Sequence, residues 1–178
     1  MIMKKLILFC LLFFGAIFLS AQNFELSTLR MGEFTINMKD KALEKIAKTK
    51  LPAFNGDNYF RTLKTQYFGQ PLEITVLQGV TENGEYALES TIYSLTTKSK
   101  KFRTKSGLGI GSTKAELLEA YKKFPNLKVA QVYEDQTDSF SKINSNVILQ
   151  DFEAGTALSF TLKNNIVVEV SVYVNEGC

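Results

Sequence analysis

The chain has 178 residues, 45% of them hydrophobic and 22% charged, with a formal net charge of +3, two cysteines and neither histidine nor tryptophan. Without histidine, Ser-His-Asp and Cys-His catalysis and histidine-ligated zinc are excluded. The length suits one domain with a sizeable core, or two small lobes sharing one.

Lys4 and Lys5, an uncharged run from Leu6 to Leu19, and then Ser20, Ala21 and Gln22 follow the order of a secretory signal. Cleavage is expected after Ala21, leaving residues 22–178 as the mature chain. The apolar run is shorter than the roughly 20 residues that span a bilayer, so no stable membrane span is expected once the leader is removed. Cys10 lies too early and follows Phe9 where a lipoprotein signal needs a small residue, so a lipid anchor is rejected. Lys4 and Lys5 leave with the leader, the remaining charges nearly balance, and nothing pulls the chain toward nucleic acid. Cys178 is then the one thiol left, so no internal disulfide forms and packing must supply the stability; as the last residue it is expected to be frayed.

In chain order, Phe24, Leu26 and Leu29 suggest a short strand over residues 23–32. Residues 37–50 predict a helix capped by Asn37, with Leu43, Ile46 and Ala47 as its apolar stripe and lysines around the rest. After Pro52 and a turn at residues 55–58, strands are predicted over 59–68, 72–78 and 86–96. Residues 97–105 carry Lys98, Lys100, Lys101, Arg103 and Lys105 and read as a solvated connector or a lysine-guarded edge; contact with an anionic lipid or polysaccharide is the functional alternative.

Residues 106–125 hold the best-defined helix signal. Gly107, Gly109 and Gly111 suit backbone of positive φ, and Thr113 with Glu116 fits a capping box. Leu117, Ala120, Tyr121 and Phe124 give one apolar face, which Pro125 ends. Strands follow over 127–134, 146–153, 156–163 and 166–174, the last two joined by Asn164-Asn165, a pair that tolerates the positive φ of a tight hairpin.

Helix followed by antiparallel strands thus occurs twice, in halves of about 24–97 and 104–175. The helices match at a shift of 74, with Ile36 on Ile110 and Leu43 on Leu117, and the final strands at a shift of 80, with residues 88–93 on 168–173. The expected fold class is α+β: two tandem helix-plus-antiparallel-strand repeats, with the helices packed on one face of an antiparallel sheet. Leu117, Tyr121, Leu158, Phe160, Leu162, Val168, Val170 and Val172 are expected to form the core between helix and sheet.

The run at residues 104–116, ahead of a short helix and a hairpin through residues 160–170, resembles exported domains of the β-lactamase inhibitory protein-like fold, which also occurs in outer-membrane assembly lipoproteins of the SmpA/OmlA kind. The resemblance implies helices on one side of an antiparallel sheet and an open sheet face that holds another protein. It transfers no individual functional residue, and the lipid-bearing cysteine of the lipoprotein members is absent.

Glu134, Asp135 and Asp138 cluster in one loop without the ligand spacing and glycine of an EF-hand, so a hydrated acidic loop is expected and no metal. The glycines at 107, 109 and 111 lack the third glycine spacing of a dinucleotide loop and the Lys-Ser/Thr of a P-loop, so no nucleotide cofactor is expected. The sequence therefore points to a non-enzymatic exported module that binds another exported or envelope protein. A carboxylate-dependent hydrolase acting on cell-envelope polymers is the alternative. Alternation in the two final strands puts Glu89, Thr91 and Tyr93, and Glu169, Ser171 and Tyr173, opposite the core; these six are the candidate partner-binding residues.

Overall fold

The computed structural model describes residues 23–54, 59–81, 83, 86–134 and 138–177. The expected leader with its cleavage site, the turn at 55–58, Asp135 and Cys178 lie outside the described residues. In chain order the elements are β1 (Arg30–Met31), β2 (Phe34–Thr35), α1 (Asp40–Ala47), β3 (Phe60–Tyr67), β4 (Gln70–Val80), β5 (Tyr86–Thr97), α2 (Lys114–Tyr121), β6 (Leu127–Glu134), β7 (Ser139–Asp151), β8 (Thr156–Lys163) and β9 (Ile166–Val174).

β1 and β2 form a small ribbon, and the other strands form one seven-stranded antiparallel sheet in the order β3-β4-β5-β9-β8-β7-β6. Two meanders, β3-β4-β5 and β6-β7-β8-β9, therefore meet where β5 lies beside β9. Period-2 alternation makes one face apolar: Leu72, Ile74 and Val76 of β4, Leu158, Phe160 and Leu162 of β8, and Val170 and Val172 of β9 are each at most 2% exposed. Val168, expected in the core, is half-buried, because a bulge between Thr161 and Leu162 leaves it without a partner on β8.

The α+β class is corrected: the protein is mostly β. Each helix has eight residues, and together they bury only Leu43, Ala47 and Leu117. Most of the layer over the apolar sheet face is non-helical chain, which supplies Leu26, Met31, Phe34, Ile36, Phe102 and Ile110. Phe24 meets Phe102 edge-on at 5.2 Å, and Phe34 meets Tyr67 at 5.5 Å. The basic connector is thereby anchored: Phe102 is fully buried and Ser99 and Thr104 are nearly so, while the lysines stay outside.

The first helix is shorter than its sequence pattern. Asn37 does not cap it: Asn37 stands at φ 65, and the N-cap is Lys39, with no side-chain hydrogen bond. Lys48 takes the left-handed conformation and ends it. α2 begins as expected, with the Thr113 and Glu116 capping box formed in both directions, but stops at Tyr121, which leaves Phe124 in the following turn, and Ala120 faces solvent within the helix. The expected strand over 23–32 shrinks to β1, and Leu29 is exposed.

The backbone entering each helix makes the same contacts. Asn37 N donates to Ile92 O at 2.9 Å and Ile92 N to Met38 O at 2.9 Å; Gly111 N donates to Val167 O at 2.8 Å and Val167 N to Ser112 O at 2.9 Å. Lys39 bridges Thr91 as Thr113 bridges Ile166. The bulges correspond too: Tyr93 is skipped between Thr75/Ser94 and Val76/Ile92, and Val168 between Thr161/Glu169 and Leu162/Val167. Counting from Ile92 to Val167, the final strands correspond at a shift of 75, not the 80 suggested by side-chain similarity. Gly111, at φ 91, thus occupies the position that Asn37 fills in the first half, whereas Gly109 answers a different need, since a Cβ there would lie 2.6 Å from Phe102 O.

Three outcomes follow from this packing. Phe160→Ala should cost about 3–5 kcal/mol in chemical denaturation, because the ring is fully buried. Gly111→Ala should cost about 1–2 kcal/mol for its left-handed backbone, and Gly111→Asn clearly less, since Asn already serves at residue 37; equal losses would break the correspondence. Burial, and then the Glu33 carboxylate that accepts from its hydroxyl at 3.1 Å, pushes Tyr67 from 10.0 up to about 12. The fold holds the neutral phenol, so this contribution is full below pH 10 and is lost between 10 and about 12. Urea midpoints across that interval should fall more steeply for the wild-type chain than for Tyr67→Phe.

Candidate functional site

The face of the sheet opposite the core centres on the β5–β9 pair. Ser94 lies opposite Tyr173, Leu95 opposite Val172, Thr96 opposite Ser171 and Thr97 opposite Val170. Leu95, Thr97, Val170 and Val172 point inward and are buried. Ser94, Thr96, Ser171 and Tyr173 therefore point outward, and the Thr96 and Ser171 hydroxyls hydrogen-bond at 2.9 Å. β8 continues the surface with Ala157 beside Tyr173, Ser159 beside Ser171 and Thr161 beside Glu169. Ala157 and Ser159 are 0% and 9% exposed although they belong to the solvent face; being small, they lie below the larger Tyr173, Gln150 and Ile148 opposite them. The centre of the face is a shallow floor of small and hydroxyl-bearing side chains.

Aromatic groups border one end of this floor. Tyr93, pushed outward by the β5 bulge, meets Phe60 of β3 edge-on at 5.0 Å, and its hydroxyl donates to Glu176 Oε1 at 3.1 Å. Burial, then the hydrogen bond to Glu176, raises its pKa, and burial raises that of Tyr173. Both phenols keep their protons at neutral pH and offer an apolar ring with a donor at its tip. Charges border the other end, where Lys98 approaches Glu169 at 3.4 Å and Lys64 approaches Glu73 at 3.8 Å. Lys64, Glu73, Thr96, Lys98 and Glu169 help line an open groove of about 460 Å³.

Four of the six sequence-derived residues, Tyr93, Glu169, Ser171 and Tyr173, are brought together here. Glu89 and Thr91 are not, because they lie at the far end of β5 beside the start of α1. Thr91 is bridged to Lys39, and the Glu89 carboxylate accepts from Lys39 Nζ at 2.6 Å. That contact lowers the Glu89 pKa and raises the Lys39 pKa. Phe60, Thr96 and Glu176 carry no signal in the sequence; Lys98 carries one, as part of the basic connector.

In the acidic loop, Asn144 Nδ2 donates to Glu134 Oε1 at 2.9 Å and the Tyr133 hydroxyl donates to Asp138. Among the described residues no group of three potential ligands is placed to hold a metal ion, and no helix is long and apolar enough to cross a membrane. No protein-family model matches the chain, and neither the curated proteins nor the solved structures gave a match.

Proposed function

We propose that this protein is an exported, non-enzymatic binding module that holds another exported or envelope protein on the open face of its sheet. The observation that carries the reading is the junction of β5 and β9, which gathers Tyr93, Tyr173, Ser171 and Glu169 from distant parts of the chain onto one surface. Tyrosines next to small hydroxyl side chains and a charged border are a composition suited to contact with protein, since Tyr supplies apolar area and a hydrogen bond together. The resemblance to the β-lactamase inhibitory protein-like and SmpA/OmlA-like exported domains belongs to the same proposal, as does the export that the leader at residues 1–21 implies.

One observation favours the alternative, a carboxylate-dependent hydrolase of envelope polymers: Glu73 and Glu169 line the same groove. The two readings separate in one experiment. The purified protein is used as bait in envelope extract, beside Tyr93→Ala/Tyr173→Ala and Glu73→Gln/Glu169→Gln. The tyrosine pair should abolish capture while the circular dichroism spectrum and unfolding midpoint are kept. Unchanged capture by that folded variant removes the open face as the site, and polymer cleavage lost only in the glutamine pair favours the hydrolase.

A further inference from the structure

β6 is the last strand of the sheet, so one side of it presents the backbone donors and acceptors that an inner strand spends on a neighbour. It runs for eight residues, LKVAQVYE, without proline or glycine. Where its register with β7 shifts, between Gln131 and Tyr133, the extra residues lie on β7, so β6 itself is not bulged. The opposite edge is different: at the start of β3, Arg61 donates to Pro52 O at 2.6 Å and lies over the Phe54 ring at 3.6 Å, so the preceding chain is folded against it. β6 also carries exposed apolar area, with Val129 43% and Tyr133 47% exposed, the latter edge-on to Phe140, itself 60% exposed.

The sequence of β6 is complementary to itself. Laid antiparallel on a second β6 with Gln131 opposite Gln131, it puts Lys128 opposite Glu134 at both ends, Val129 opposite Tyr133, and Ala130 opposite Val132. Shifting the register by one residue sets Lys128 against Tyr133, or Val129 against Glu134. Opposite charges and aromatic with β-branched side chains are the cross-strand pairs that stabilise a sheet. Glu134 accepts from Asn144 through Oε1, and the two oxygens of a carboxylate accept several donors at once.

We infer that β6 is a self-association edge: a second copy of this chain adds its own β6 antiparallel, centred on Gln131, and joins two seven-stranded sheets into one. β8 and β7 separate this edge from the β5–β9 face, so the inference does not rest on the proposed partner site.

Analytical ultracentrifugation of the purified protein should show a dimer. Lys128→Glu and Glu134→Lys each set like charges against one another at both ends and should weaken dimerisation by about tenfold or more. Mixed in equal amounts they should recover it, because every facing pair is again opposite in sign. Gln131→Cys should cross-link to itself on mild oxidation, the wild-type cysteines serving as control, because directly opposed Cα atoms lie about 4.5–5.5 Å apart, within disulfide reach. Val129→Cys should not, since it faces Tyr133. A monomeric wild-type chain, a dimer indifferent to both charge reversals, or a dimer that Gln131→Cys fails to link would each overturn the inference.

Discussion

The structure depends on a short seam. β5 and β9 pair over residues 94–97 and 170–173 and then part, each at a bulge that leaves Tyr93 or Val168 unpaired. A bulge increases local twist and bends its strand, which is why the two strands diverge there. The edges so exposed do not stay open: residues 37–39 close one and residues 111–113 the other, with near-identical backbone hydrogen bonds. Both helices start from these closures, so the seam also fixes where α1 and α2 stand.

Burial supplies the energy that holds the seam. Leu95 and Val172 face inward at its middle and join Phe34, Phe102 and Phe160 in a fully buried core. Apolar area removed from water stabilises at about 25 cal/mol per Å², and the rings are the largest contributors. Lys98–Glu169 and Lys64–Glu73 lie on the solvent side, where ion pairs contribute little to stability. Packing and surface chemistry are thus divided between the two faces of the same strands.

How legible this was depended on the reach of the interaction. The Thr113–Glu116 box and the Asn164-Asn165 hairpin are local, and both formed, with positive φ at each asparagine; β6, β8 and β9 have their expected bounds. Asn37 was misread because asparagine suits both a helix cap and left-handed backbone, and the choice was made by Ile92, far along the chain. The fold class was misread for a related reason: Leu43, Ile46 and Ala47 have helical spacing and do lie in α1, but Lys48 ends the helix directly after them, and most of the layer over the sheet is non-helical chain. An ungapped match of Glu, hydroxyl and Tyr aligned the final strands five residues away from the backbone correspondence, because side-chain similarity does not reveal a bulge. The approach of Tyr93 to Tyr173, and the contacts of Tyr93 with Phe60 and Glu176, follow from strand order, which no stretch of sequence states.

The small residues at the centre of the open face have an entropic consequence. Long side chains such as Lys or Glu lose about 1.5–2 kcal/mol of rotamer freedom when immobilised, whereas Ala loses none. Ala157 and Ser159 are already sunk in the sheet, and the Thr96 and Ser171 hydroxyls already hold one another. A molecule settling on this floor would find it ordered beforehand and would freeze few rotors. Such a surface cannot remodel itself around a poorly shaped visitor, so a molecule bound there would be selected by contour, and would meet the Lys98–Glu169 and Lys64–Glu73 pairs at the border.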